Sequence, residues 1–173
     1  MSIEGCEGCA VRRCTFERID GNGVFLSGYT RHTTLADNEF SWIGCSAMAA
    51  WGYTKENDGT DGQQPRFTYI LRNYVREIGL IQKQSSMWCQ AKACQTVLEA
   101  NIAFNGPRAG INFNDGFGGA TNVSHNLIFN QCRESGGARG TWHSPHPDQP
   151  ARCPHVSQHS TASVRLLAQT TAP

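Results

Sequence analysis

Apolar residues recur along this chain in short phrases rather than at helical spacing. "NEFSWIG", "NYVREIG", "NIAFNG" and "NLIFNQC" open at Asn38, Asn73, Asn101 and Asn126, and "CTFERIDG" takes the same form from Cys14. Three residues before each opener stands Val11, Leu35, Ile70, Leu98 or Val123, and five before it Cys9, Thr33, Thr68, Thr96 or Thr121. The openers lie 24, 35, 28 and 25 residues apart. Repeats of this length mean stacked units, each too small to bury its own apolar side, so a solenoid is expected.

The residue types inside one period select the kind of solenoid. Short runs of Val, Ile, Phe and Thr punctuated by Gly and Asn are strand and turn chemistry. The pattern predicts an all-β chain: over residues 1–136, a right-handed parallel β-helix of about five coils, with roughly three short strands per coil and successive coils about 4.8 Å apart. The asparagines are expected at the bends, where Asn tolerates the left-handed region and identical amides can bond coil over coil. After Gly136 the periodicity stops; residues 137–173 hold most of the prolines and four of the six histidines without an apolar column, and are expected to be a disordered tail. A shifted frame or retained intron, or else a genuine linker, accounts for that break. The opening "MSIEGCEGC" has neither the basic nor the apolar segment of a secretory signal and reads as the middle of a coil, so the chain is expected to be a fragment of a longer β-helix.

The phrases "DGNGVFLSGY", "DNEFSWIGCSAMAAWG", "GPRAGINFNDGFGG" and "NLIFNQCRESG" resemble the right-handed β-helix repeat proteins of the pectate-lyase-like superfamily, over residues 3 to about 136. The resemblance implies a carbohydrate-binding exterior and an extracellular or secretory setting. It leaves the activity open, because that superfamily includes lyases, hydrolases, epimerases and non-catalytic binders.

Composition narrows the partners. The 173 residues are 39% apolar and 17% charged with net charge +1, so neither disorder in the repeats nor a nucleic-acid partner is indicated. No apolar run is long enough for a membrane span. Cys6 and Cys9 form a C-x-x-C pair, and His143, His146, Cys153, His155 and His159 are zinc-ligand types, but no second C-x-x-C exists and the spacings match no standard site; neither metal nor cofactor is expected. "GFGGAT" lacks the Lys-Ser/Thr of a phosphate loop. The eight cysteines are read as small core residues, with a disulfide among Cys6, Cys9 and Cys14 as the alternative for those three.

The remaining chemistry suits a polysaccharide or oligosaccharide. Two insertions offer walls beside the solenoid: "WGYTKENDGTDGQQPRF" and the Gly-rich "NDGFGG". Trp51 and Tyr53 are candidate sugar-stacking rings, and Asp61, Asn112 and Asn114 candidate substrate contacts, against the plain alternative that the Asp-Gly steps at Asp58 and Asp61 are turns. Hydrolysis needs two carboxyl groups about 5 to 9.5 Å apart, for which Asp115 and Glu134 are the candidates. Asp115 capping its own loop, and Glu134 ion-paired with Arg133 or Arg108, are the structural alternatives. Elimination needs a base and a cation for the enolate; Lys83 and Arg108, 25 residues apart, supply the types, unless they are solvated surface charges. The expected function is cleavage of a glycan on the exterior face. A non-catalytic glycan-binding module and an inactive fragment from a broken gene model are the alternatives.

Overall fold

The computed structural model describes residues 1–56, 58–114 and 118–133 and the backbone of a strand at Ser163–Arg165. The first coil is β1 (Ser2–Glu7), β2 (Ala10–Arg12) and β3 (Thr15–Ile19); the second is β4 (Val24–Arg31), β5 (Thr34–Ala36) and β6 (Glu39–Ile43). The third is β7 (Met48–Trp51), β8 (Arg66–Leu71) and β9 (Tyr74–Ile78), and the fourth β10 (Trp88–Ala91), β11 (Cys94–Glu99) and β12 (Ile102–Phe104). The fifth is β13 (Ile111–Phe113) and β14 (Asn122–Phe129), whose two halves pair with β11 and β12 in turn. Parallel pairing of equivalent strands makes three faces: β1-β4-β7-β10-β13, β2-β5-β8-β11-β14 and β3-β6-β9-β12-β14. There is no helix among the described residues, and the architecture is the expected right-handed parallel β-helix of about five coils. Of residues 137–173, the described part is β15 (Ser163–Arg165), paired in parallel with β14. The histidines and Cys153 weighed as zinc ligands lie outside the described residues.

The apolar column read from the repeat is the core of the second face. Val11, Leu35, Ile70, Leu98 and Val123 are direct cross-strand partners and all are buried. Beside them Thr33, Thr68 and Thr96 are equally buried, and their hydroxyls, with that of Thr121, have no hydrogen-bond partner among the described residues. A buried hydroxyl without a partner costs about 1–3 kcal/mol relative to an apolar group of the same shape. Thr68→Val is therefore expected to raise stability by about 1 kcal/mol, read from the urea midpoint. A loss of stability instead would mean that the Thr68 hydroxyl is satisfied.

The asparagine column is a buried amide ladder. Asn38 Nδ2 donates to Asn73 Oδ1 at 3.0 Å, Asn73 Nδ2 to Asn101 Oδ1 at 3.0 Å, and Asn101 Nδ2 to Asn126 Oδ1 at 2.8 Å. Each Oδ1 also accepts the backbone N–H of the opener one coil earlier, from Cys14 to Asn38 through Asn101 to Asn126. Each Nδ2 donates a second bond, to the carbonyl of Val11, Leu35, Ile70 or Leu98 in the preceding coil. The expectation that these asparagines themselves adopt the left-handed region is corrected by one position. The left-handed residues are Arg13, Asp37, Arg72, Ala100 and His125, with φ of 54°, 58°, 49°, 57° and 56°, each immediately before an opener. A left-handed residue reverses the course of the chain, and the next side chain can then turn inward to stack. Unlike residue types hold the same conformation in every coil, so stacking rather than local preference fixes it.

Cysteine departs from its expected role. Cys94 is buried, but Cys14 is exposed and Cys45, Cys89 and Cys132 are half-buried, while Cys6 and Cys9 form a disulfide. Cys89 falls on the outward side of the strand alternation, and Cys14 stands on the exposed first coil, where its thiol donates to the Arg12 carbonyl.

Candidate functional site

Strand alternation sorts the first face. Val24, Met48, Trp88 and Ile111 form one inward column, and the residues between these positions and the next inward ones point outward: Phe25, Ala49, Cys89 and Asn112 pair as one outer column. A second outer column runs Glu4, Ser27, Trp51 and Ala91. Ser27, Ala49 and Ala91 are small and buried, so the accessible surface here is made chiefly by the rings of Trp51, which lies between Ser27 and Ala91 in its column, and Tyr53, 41% and 56% exposed.

A register slip adds two carboxylates to this surface. Pairing between β1 and β4 shifts between Glu4 and Cys6, where Gly5 and Gly28 take φ of 63° and 55°. Glu4 and Glu7 both remain exposed as a result, although three residues separate them along one strand. A β-carbon at Gly28 would lie 3.0 Å from Tyr53 Cε2 and 3.2 Å from Glu4 Oε1, so the ring and the carboxylate close over the same bare backbone. A side chain at Gly28 would have to push the Tyr53 ring or the Glu4 carboxylate aside by a few tenths of an ångström.

The wall that carries Tyr53 is fastened by two guanidinium groups. Arg31 and Arg66 are cross-strand partners in neighbouring coils. Arg31 donates from Nη1 to the Gln64 carbonyl and from Nη2 to the Gly62 carbonyl, each at 2.6 Å, and Arg66 Nη2 donates to the Gly59 carbonyl at 2.6 Å. Burial first, and then the neighbouring Arg66 charge, push the Arg31 pKa down. Arg31 also lies 4.2 Å above the Tyr29 ring centroid, a cation–π contact, and the Tyr29 hydroxyl donates to Glu7 Oε1.

The hydrogen bond to Glu7 is the largest cause raising the Tyr29 pKa above its ordinary 10.0. A raised phenol pKa means that the neutral form is favoured in the fold; this stabilisation is present below the ordinary value and is lost as pH rises through the raised one. Glu7→Gln is expected to bring one tyrosine back toward the ordinary ionisation range, read from phenolate absorbance in a pH titration. An unchanged titration would show that Glu7 does not hold Tyr29.

The other candidates are distributed unevenly. Asp61 Oδ1 accepts the Gln63 N–H at 3.2 Å and Asp58 Oδ1 the Thr60 N–H at 2.9 Å, so both carboxylates cap their own turns. Asn112 shares the outer face with Trp51, and its Nδ2 donates to Cys89 Sγ at 3.8 Å; Asn114 follows β13, half-buried, with its N–H on the Gln90 carbonyl. Lys83 and Arg108 are both exposed and stand in successive passages from the third face to the first, the opposite ends of the first-face strands from Trp51 and Tyr53. Asp115 and Glu134 lie outside the described residues. Arg133, weighed as a partner of Glu134, donates to Glu77 Oε2 at 3.0 Å. The Cys6–Cys9 disulfide removes the C-x-x-C pair as thiolate ligands, and among the described residues no three His, Cys, Asp or Glu side chains are grouped to hold a metal. Comparison with known family models, curated proteins and solved structures finds no match to this chain.

Glu4, Glu7 and Tyr29 carry no sequence signal for this site. Plain alternation puts residues three apart on opposite faces, and only the slip at Gly5 and Gly28 brings the two glutamates together.

Proposed function

We propose that the outer first face is a glycan-binding surface of a pectate-lyase-like β-helix, with an oligosaccharide lying against the exposed rings of Trp51 and Tyr53. The observation that carries this reading is the pair of exposed aromatic rings, one of them held over Gly28 next to the Glu4 carboxylate. A pyranose presents C–H faces that suit an aromatic ring and hydroxyl edges that suit a carboxylate, so the surface supplies both halves of sugar recognition. The Arg31 and Arg66 anchors hold the wall in advance of binding, which lowers the ordering cost of association.

Cleavage is the further step of this reading. Asp115 and Glu134 remain the proposed hydrolytic pair, whereas Lys83 and Arg108 sit at the far corner from the aromatics, which disfavours elimination at this surface. Binding to a panel of immobilised neutral and acidic polysaccharides tests the proposal. Trp51→Ala and Tyr53→Ala are each expected to weaken the interaction about tenfold, on the order of 1.4 kcal/mol, with the thermal transition unchanged. Binding that survives both substitutions contradicts it. Release of reducing ends by the wild type and its loss in Asp115→Asn would add hydrolysis, and binding without release leaves a non-catalytic module.

A further inference from the structure

We propose a second sugar-binding notch, resting on the same glycan reading, at the corner where the third face turns toward the first, between the Trp42 indole and the Leu80–Ile81 wall. Its volume is about 430 Å³, within the range of small-ligand sites, roughly 300–1,000 Å³. Trp42, Leu80 and Ile81 are 42%, 44% and 65% exposed, a local concentration of apolar surface quite unlike single scattered hydrophobics.

The wall is built before any ligand arrives. In the second coil residues 44–47 link β6 to β7, whereas the third coil uses residues 79–87 between β9 and β10. That longer link folds back on the second coil. Gly79 N–H donates to the Cys45 carbonyl at 3.1 Å, Leu80 N–H to Ile43 at 3.2 Å, and Ile81 and Gln82 N–H both to Gly44 at 2.9 Å. Four successive backbone donors are thereby consumed while two aliphatic side chains are held in solvent. Beneath the wall Gly44 packs backbone to backbone on the first coil: a β-carbon there would lie 2.0 Å from the Asp20 carbonyl oxygen. Trp42 holds the left-handed conformation at φ 57°, in register with Arg18, Glu77, Asn105 and Asn130 of the other coils.

Ligand class follows from what faces the space. Indole and aliphatic surface line it, and Arg18 and Asp20 complete the lining with hydrogen-bonding groups. Arg18 is exposed, and among the described residues its ion-pair partner is Glu17, at 3.7 Å, so its donors remain accessible. An acyl chain would leave both charged groups without a role. A peptide docking by strand addition would need free strand-edge N–H groups, and those of residues 79–82 are already used. A hexopyranose combines an apolar ring face with a rim of hydroxyls and matches both kinds of lining.

Two-dimensional NMR of the indole N–H groups, titrated with methyl hexopyranosides and methyl hexuronides, separates this inference from the first-face reading. The expected result is a saturable shift of the Trp42 indole signal, assigned by its absence from the spectrum of Trp42→Ala, with affinity reduced at least about threefold in Ile81→Ser. Trp42 and Ile81 are exposed, so neither substitution threatens the core. A shift confined to Trp51 overturns the notch and leaves the first-face site standing. A shift confined to Trp42, with polysaccharide binding that survives both Trp51→Ala and Tyr53→Ala, supports the notch and overturns the first-face site. No shift at the Trp42 indole overturns the notch.

Discussion

Asn101→Ala is expected to cost about 4 kcal/mol, because each buried polar group left without a partner loses roughly 1–3 kcal/mol. The Asn101 amide sits in the middle of the ladder with 0% exposure. Its Oδ1 accepts both the backbone N–H and the side-chain N–H of Asn73, and its Nδ2 donates to Ile70 O and Asn126 Oδ1. Alanine therefore orphans the Asn73 N–H and one Asn73 Nδ2 proton and removes the side-chain donor to the Ile70 carbonyl, while Asn126 Oδ1 keeps the Asn101 backbone N–H, all in a place water cannot refill without opening the corner. The effect should appear as a lowered urea midpoint with an unchanged slope. Asn101→Asp is a sharper variant, since a carboxylate keeps the acceptor but loses the two donors and adds an unpaired buried charge. A cost below about 1 kcal/mol for Asn101→Ala would mean that the ladder contributes no more than an ordinary hydrogen bond.

Leu98→Ala is expected to cost about 2–5 kcal/mol. Leu98 is fully buried and is the direct partner of Ile70 in the coil before and Val123 in the coil after. The stack spacing is set by backbone hydrogen bonds at about 4.8 Å, so neighbouring coils cannot collapse into the space the isobutyl group leaves. A solenoid transmits little beyond nearest neighbours. Leu35→Ala, two coils away, should accordingly add to Leu98→Ala within about 0.5 kcal/mol in the double variant. Strong coupling between the two would argue against a stack of locally packed coils.

The parts of this fold that repeat were legible in the residue pattern, and the parts that occur once were not. The Val11–Val123 column and the Asn38–Asn126 column repeat at fixed offsets because every coil imposes the same inward geometry at the same step, and both are where the spacing places them. The left-handed conformation was attached to the wrong residue by one position, since Asn tolerates that region by itself while the actual holders, including Arg13, Arg72 and Ala100, have no such preference. Cys89 shows why composition misleads in a thin solenoid: half of every strand faces out, so a small apolar residue is as easily on the outer face as in the core. The insertion after Trp51 stood out by its glycines and acids. The link at 79–87 did not, because Leu80 and Ile81 read as ordinary core letters until their backbone is seen pinned outside the second coil. The Glu4–Glu7 pair depends on a single slip in register, which no spacing rule registers.

The same architecture ties stability to recognition. Arg31 comes from the second coil and Arg66 from the third, and both end on carbonyls of the wall that carries Tyr53. Parallel stacking sets the distance between them, and through them the position of Tyr53 over Gly28. The most direct measurement is therefore a crystal structure of the chain grown with a saturating oligosaccharide that the polysaccharide panel identifies. The account predicts a sugar ring stacked on Trp51 or Tyr53, with a hydroxyl on the Glu4 carboxylate. Sugar bound only on the second or third face, or an empty first face at saturating ligand, would contradict it.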